Sequence, residues 1–207
     1  MSKYDEFNEQ GESLKVEEQL LMYEQVLWRG KPSKKAYIVN KIVGLLPMAL
    51  FWLAIDMTFI VGIFVTGSFS WYLIIFFMIH LMPVWMWLSN IITSGKQWQN
   101  TEYLVTDKRI LIKNGVLTQN IISLYYPQIK SINFKKGIID SIFHVGDIYI
   151  LNNIGVKSVI VDVEDVEALF NRLQKIVIDI QTDMAYPNQY RPNHNPGYNA
   201  QYTAEDK

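Results

Sequence analysis

Few residues in this chain have types and spacings that suggest chemistry. Asp140, Ser141, His144 and Asp147 fall within eight positions of one another, and a hydrolase combines such types as nucleophile, base and orienting carboxylate. They share one presumed loop, and closeness in sequence does not supply triad geometry, so catalysis is not expected of them. The three histidines, His80, His144 and His194, show no metal-ligand spacing. Cysteine is absent, which excludes disulfides, Cys-ligated zinc, iron–sulfur clusters and thiol nucleophiles. No Gly-rich phosphate loop or nucleophile elbow occurs. The chain therefore reads as a non-enzyme with no catalytic, metal or cofactor-binding residue.

Asp56 and His80 form a different kind of constellation. Asp56 is the only acid between Ile42 and Gly95, a stretch that also lacks Lys and Arg. An intramembrane carboxylate costs roughly 2.5–3.5 kcal/mol on insertion scales, so it needs a partner or a task. Each of the two residues lies twelve positions from Ser68. In an antiparallel hairpin turning at Ser68 both would sit about 18 Å below the turn. They are a candidate intramembrane pair, either structural or part of a proton or ion relay in an oligomer.

The elements that would position such a pair follow from the same stretch. A bilayer core needs about 20 apolar helical residues per crossing. The block is long enough for two spans, read as 42–66 and 69–92, joined by a small-residue turn around Gly67 and Ser68. Trp71 and Tyr72 beyond the turn, and Trp85, Trp87 and Trp98 towards the other end, suit the headgroup level. Pro47 and Pro83 mark kinks rather than sites.

Charge sets the orientation. Arg29, Lys31, Lys34, Lys35 and Lys41 precede the first span, Lys96 follows the second, and the turn has no basic residue. The positive-inside rule puts both termini in the cytoplasm of a multi-pass cell-membrane protein. The six basic residues are also candidate contacts to anionic lipid, at about 1 kcal/mol each near the surface. They could equally serve only to fix topology.

Outside the block the pattern changes. Residues 1–26 form an acidic leader with seven acids and two lysines, where Val16, Leu20, Leu21 and Tyr23 suggest a short amphipathic helix. Residues 27–41 read as a basic juxtamembrane segment. From 103 onwards short apolar runs predict strands at 103–106, 109–113, 116–118, 121–126, 129–134, 147–151 and 157–161. Asn114-Gly115 is a hairpin turn signal. Residues 164–180 predict one amphipathic helix, with Val166, Leu169, Phe170, Leu173, Ile176, Val177 and Ile180 on one stripe. Antiparallel strands closed by a C-terminal helix describe a small capped barrel or sandwich. The tail, 184–207, lacks Leu, Ile and Val, and is expected to be disordered.

Over residues 24–180 the chain resembles bacterial membrane proteins that carry a pleckstrin-homology-like domain, also called membrane-flanked domains. The matching blocks are Glu24-Gln25-Val26-Leu27-Trp28-Arg29-Gly30-Lys31-Pro32-Ser33, Tyr103-Leu104-Val105-Thr106-Asp107-Lys108-Arg109-Ile110, Tyr126-Pro127-Gln128-Ile129-Lys130-Ser131-Ile132 and Phe143-His144-Val145-Gly146-Asp147-Ile148-Tyr149-Ile150, in that order. The resemblance implies a bent antiparallel sheet capped by a C-terminal helix, and no enzyme activity. It does not carry over phosphoinositide binding, for which no phosphate-binding motif is matched.

The expected fold class is thus a membrane protein with a two-helix transmembrane hairpin and a small α+β pleckstrin-homology-like domain at 101–182 that folds by itself. The expected function is a non-catalytic binding or scaffold module at the cytoplasmic membrane face. The alternative is a subunit of a transport or export assembly that uses Asp56 and His80. Expected partners are the lipid bilayer, anionic lipid, and another membrane protein or a second copy; nucleic acid is not among them.

Overall fold

The computed structural model describes residues 16–116 and 118–185. Most of the acidic leader, nearly all of the tail and Leu117 lie outside the described residues. The first described element is a 3-10 turn, Val16–Gln19, where sequence suggested an amphipathic helix. Strand β1 (Val26–Gly30) follows, inside the span read as leader and juxtamembrane segment.

Helix α1 runs from Lys34 to Thr66 without interruption at Pro47. It ends at Gly67 in the left-handed region (φ 64°), a conformation that glycine adopts without a Cβ penalty. The Ser68 amide reaches back to the Ile63 carbonyl at 3.2 Å and closes the helix end. Alone among the described helices, α1 is long and apolar enough to cross a membrane.

The second apolar run is broken. Helix α2 (Tyr72–His80) and α3 (Met82–Asn100) meet at Leu81 with a 55° bend, and only together do they pass the same length and composition test. Pro83 at the start of α3 has no N–H to offer the preceding turn. The Val84 amide bonds the Leu81 carbonyl at 2.9 Å, which leaves the His80 carbonyl free of its usual partner. The Trp52 indole from α1 supplies the missing donor at 2.7 Å. Trp85 Nε1 donates to the Met78 carbonyl at 3.1 Å, a second repair at the same break. Helices α1 and α3 pack side by side.

A single residue, Thr101, separates α3 from the sheet. Strands β1, β2 (Glu102–Thr106), β3 (Arg109–Gly115) and β4 (Gln119–Tyr125) form one antiparallel sheet in chain order. Strands β5 (Ile129–Lys135), β6 (Val145–Asn152) and β7 (Lys157–Glu164) form the other. Register shifts in the β1–β2, β5–β6 and β6–β7 pairs mark bulges, which bend strands locally. Helix α5 (Val166–Ala185) caps the core with Val166, Leu169, Leu173, Ile176 and Val177. Tyr103, Val105, Ile110, Ile112, Ile148, Ile150 and Ile160 face it from the two sheets. On the reverse of β2 and β3, Leu104 and Leu111 are covered by Val16. Both faces of these strands are therefore buried, which explains their unbroken apolar runs.

Three sequence expectations change. Val116 and Thr118 do not extend the return strand, and Leu117 lies outside the described residues: Asn114 pairs Asn120 and Gly115 pairs Gln119, so the loop follows the Asn-Gly pair. Gly115 has φ 145°, and a Cβ there would collide with the Thr118 carbonyl. The presumed loop after β5 contains a helix, α4 (Ile138–Phe143), capped by Asp140 accepting from the Gly137 amide at 2.7 Å. The C-terminal helix starts two residues later than predicted and runs to Ala185.

Candidate functional site

The helices and the sheets meet at a polar junction built from four elements. Asn40 on α1 donates through Nδ2 to Asp140 Oδ1 on α4 at 2.9 Å and to Asp162 Oδ1 on β7 at 2.6 Å. The Asp162 amide donates to Asp147 Oδ1 on β6 at 3.0 Å, and Tyr149 OH reaches Asp147 Oδ2 at 3.2 Å. Nearby, the Ser33 amide bonds the Asp162 carbonyl at 2.8 Å and Trp98 Nε1 bonds the Pro32 carbonyl at 2.7 Å. The apolar helices are thus fixed to the domain by side chains as well as by short connections.

Burial pushes the Asp162 carboxyl up to about 6, with Asp147 and Asp140 adding to the rise and the Asn40 amide opposing it. Burial also raises Asp147. A raised carboxyl binds more protons folded than unfolded, so its contribution is present below its ordinary value and is lost as pH rises through about 6. Asp162→Asn removes that loss, keeps an acceptor for Asn40, and suits the φ of 54° at this position. Thermal unfolding at pH 8 should show stabilisation of roughly 1–3 kcal/mol, with a flattened profile between pH 4 and 6. An unchanged profile would mean that Asp162 is not the titrating group.

The candidate lipid contacts divide. Arg29 is turned onto Glu102, 2.5 Å away. Lys31, Lys34, Lys35 and Lys96 are exposed, and Lys41 is half-buried with its ammonium 5.5 Å from the Tyr37 ring centre. Lys31 and Lys34 line a groove of about 730 Å³ between the β1–α1 connection and the first turns of α5. Arg172 also lines it, and Arg172 Nη2 is buried with no hydrogen-bond partner among the described residues. Glu164 and Asp165 line it too.

Asp56 and His80 meet. Nδ1 of His80 lies 2.6 Å from Asp56 Oδ1, and the Asp56 side chain is fully buried. The His80 ring stacks on Phe76 with centres 5.0 Å apart. Asp56 Oδ2 has no partner among the described residues. Asp56→Asn and His80→Leu should each destabilise the helix pair, and the double variant should cost less than their sum. A coupling of roughly 0.5–3 kcal/mol is expected from unfolding in detergent, since the double variant strands neither partner. Strict additivity would mean that the contact contributes nothing.

The serine-hydrolase types are committed elsewhere. Ser141 Oγ donates to the Gly137 carbonyl at 2.8 Å, Asp140 serves the α4 cap and Asn40, and His144 closes α4 with φ 55°. Among the described residues no group of three or more acids or histidines is arranged to hold a metal.

One constellation escaped sequence reading. Glu24 and Arg109, assigned there to the leader and to the start of a predicted strand, form a buried ion pair at 3.0 Å. Burial would raise the Glu24 carboxyl, but hydrogen bonds from Arg109, Leu21 and Thr106 outweigh it and hold it below its ordinary value. The only local hint is an acid just ahead of a strand, and that is common.

Comparison with known proteins gives one match. The family model described as bacterial PH domain covers residues 44–177, from the first apolar helix into α5. No curated protein and no solved structure matches.

Proposed function

This chain belongs to the bacterial PH domain family, and from that premise we propose that it is a membrane-anchored, non-catalytic binding module. In this reading α1 and the bent α2–α3 pair form a two-span hairpin with the Ser68 turn outside. The pleckstrin-homology-like domain and both termini lie in the cytoplasm, as the basic flanks favour. The observation that carries the proposal is the stiffness of the junction. Three residues join β1 to α1, one joins α3 to β2, and Asn40, Ser33 and Trp98 bond across. A domain held this way presents the Lys31–Lys34–Arg172 groove at a fixed height and angle to the bilayer. Its ligand would be an acidic segment of another membrane protein, or of a second copy, with the exposed lysines adding attraction to anionic headgroups.

One set of single-cysteine variants tests this, because the chain has no cysteine of its own. An impermeant thiol reagent should label Ser68→Cys in intact cells and Ala168→Cys, in the groove wall, only after permeabilisation. A photo-crosslinker on Ala168→Cys should give a discrete protein adduct in membranes, lost when Lys31→Glu and Lys34→Glu are added. Adducts insensitive to those changes, or reversed labelling, would overturn the proposal.

The unpartnered Asp56 Oδ2 favours a second reading, a subunit of a transport or export assembly in which neighbouring copies complete an Asp56–His80 site. Loss of function in Asp56→Asn, with insertion and the Ala168 adduct intact, would select it.

A further inference from the structure

We infer that α4 is a third point of membrane contact, with Ile138 and Ile142 inserted into the leaflet at the base of α1. The inference rests on the membrane-spanning reading of α1.

Ile42 opens the charge-free block, and its carbonyl accepts the Trp87 indole of α3 at 2.9 Å. Asn40 lies two residues before it, about 3 Å along the helix axis. The Asn40–Asp140 bond of 2.9 Å therefore ties α4 to the level where the apolar surface of α1 begins. The first sheet starts lower, since Thr101 follows the last turn of α3, nine residues after Ile92 and about 13 Å away at helical rise, whereas Asp162 of β7 meets the same Asn40 amide as Asp140. The β5–β6 connection and β7 at Asp162 thus both meet α1 near the apolar boundary, and of the two the connection carries the exposed isoleucines.

The orientation of α4 follows from its sequence period. Ile138 and Ile142 lie one turn apart, roughly 40° from each other, while Asp140 points to the opposite side. Asp140 faces inwards to Asn40 and the Gly137 amide, so the two isoleucines face out, at 85% and 67% exposed. A β-branched pair this exposed has no packing role among the described residues. Lys135 lies three residues before the helix and Lys41 on the adjacent α1, while Lys136 is paired with Glu167 at 2.7 Å. An apolar edge with basic neighbours at headgroup level fits a lipid surface, and the exposed Val43 of α1 continues it towards the bilayer. Lipid, rather than a protein, is the occupant because the Asn40–Asp140 bond holds this edge within two residues of the start of the span.

Spin labels on single cysteines of the full chain, reconstituted in vesicles of phosphatidylcholine and phosphatidylglycerol, test the depth of each site. Oxygen concentrates in the hydrocarbon and a nickel chelate in water. Ile138→Cys and Ile142→Cys should be relaxed mainly by oxygen, like Val61→Cys within the span. Ile154→Cys should be relaxed mainly by nickel, since β6 carries the chain about 23 Å away from α4 before that loop. Nickel-dominated relaxation at 138 and 142 with Val61→Cys still in oxygen would overturn the inference alone. Labels there shielded from both reagents would mean a protein covers α4, and would overturn it too. Oxygen dominance at Ile154→Cys would remove the distinction on which it stands. Nickel dominance at Val61→Cys would bring down the spanning reading itself.

Discussion

Arg109→Met is expected to destabilise the domain by about 3–5 kcal/mol, the usual cost of stranding one member of a buried ion pair. Arg109 Nε and Nη2 reach the two Glu24 oxygens, each at 3.0 Å, a bidentate pairing. Nη2 also donates to the Gln19 carbonyl at 2.5 Å and Nη1 to Ser123 Oγ at 3.2 Å. Glu24 accepts in addition from Thr106 Oγ1 and from the Leu21 amide, both at 2.7 Å. Its side chain is wholly buried, so the carboxylate left by the substitution has neither water nor a cation. Unfolding of the full chain in detergent should show a melting temperature lower by roughly 10 °C. Adding Glu24→Met should recover part of the loss, because no buried charge then remains. Acid has the opposite dependence to that of Asp162: Glu24 is held below its ordinary value, so its contribution is lost as pH falls through the folded value. Arg109→Met melting like the parent would show that the pair is not sealed from solvent.

Residues 101–182 alone are expected to lack a cooperative transition, against the sequence-based expectation that this segment folds by itself. Excision removes β1, whose register places Trp28 opposite Val105, Arg29 opposite Leu104 and Gly30 opposite Tyr103. Leu27 belongs to the main core and Trp28 packs against it. Burying two such side chains contributes about 3–6 kcal/mol, comparable with the whole stability of an ordinary domain. Loss of β1 also bares β2, buried along its full length, as an apolar unpaired edge that invites aggregation. Fusing residues 16–32 to the segment through a flexible linker should restore a single transition by circular dichroism. Cooperative melting of 101–182 by itself would show that β1 is dispensable.

Both predictions depend on pairings that no local pattern announces. Val26–Gly30 is five residues long and contains Arg29 and Gly30, so by composition it joins the basic run before α1. Its identity as a strand comes from β2, more than 70 positions later. Glu24 and Arg109 are separated by 85 residues, and each alone resembles a solvated charge. Helix α4 has six residues, too few for a helical period to stand out.

What the sequence determined by itself was local or compositional. The charge-free block, the apolar runs and turn residues of the strands, and the stripe of α5 follow from which side chains a single segment can bury. The family resemblance agrees with the matched bacterial PH domain model, which spans three of its four blocks; the first, at 24–33, lies ahead of the matched residues. The equal spacing of Asp56 and His80 from Ser68 put them at one depth, because rise per residue is constant in a helix. Their 2.6 Å contact was decided in three dimensions, by the break at Leu81 and the way α1 and the bent pair pack. The same holds for the junction: Asn40, Asp140, Asp147 and Asp162 are unremarkable in sequence and become one hydrogen-bonded cluster only when α1, α4, β6 and β7 converge. Period and composition report how one segment divides between core and surroundings, while burial of a polar group is settled by the partner that another segment brings to it.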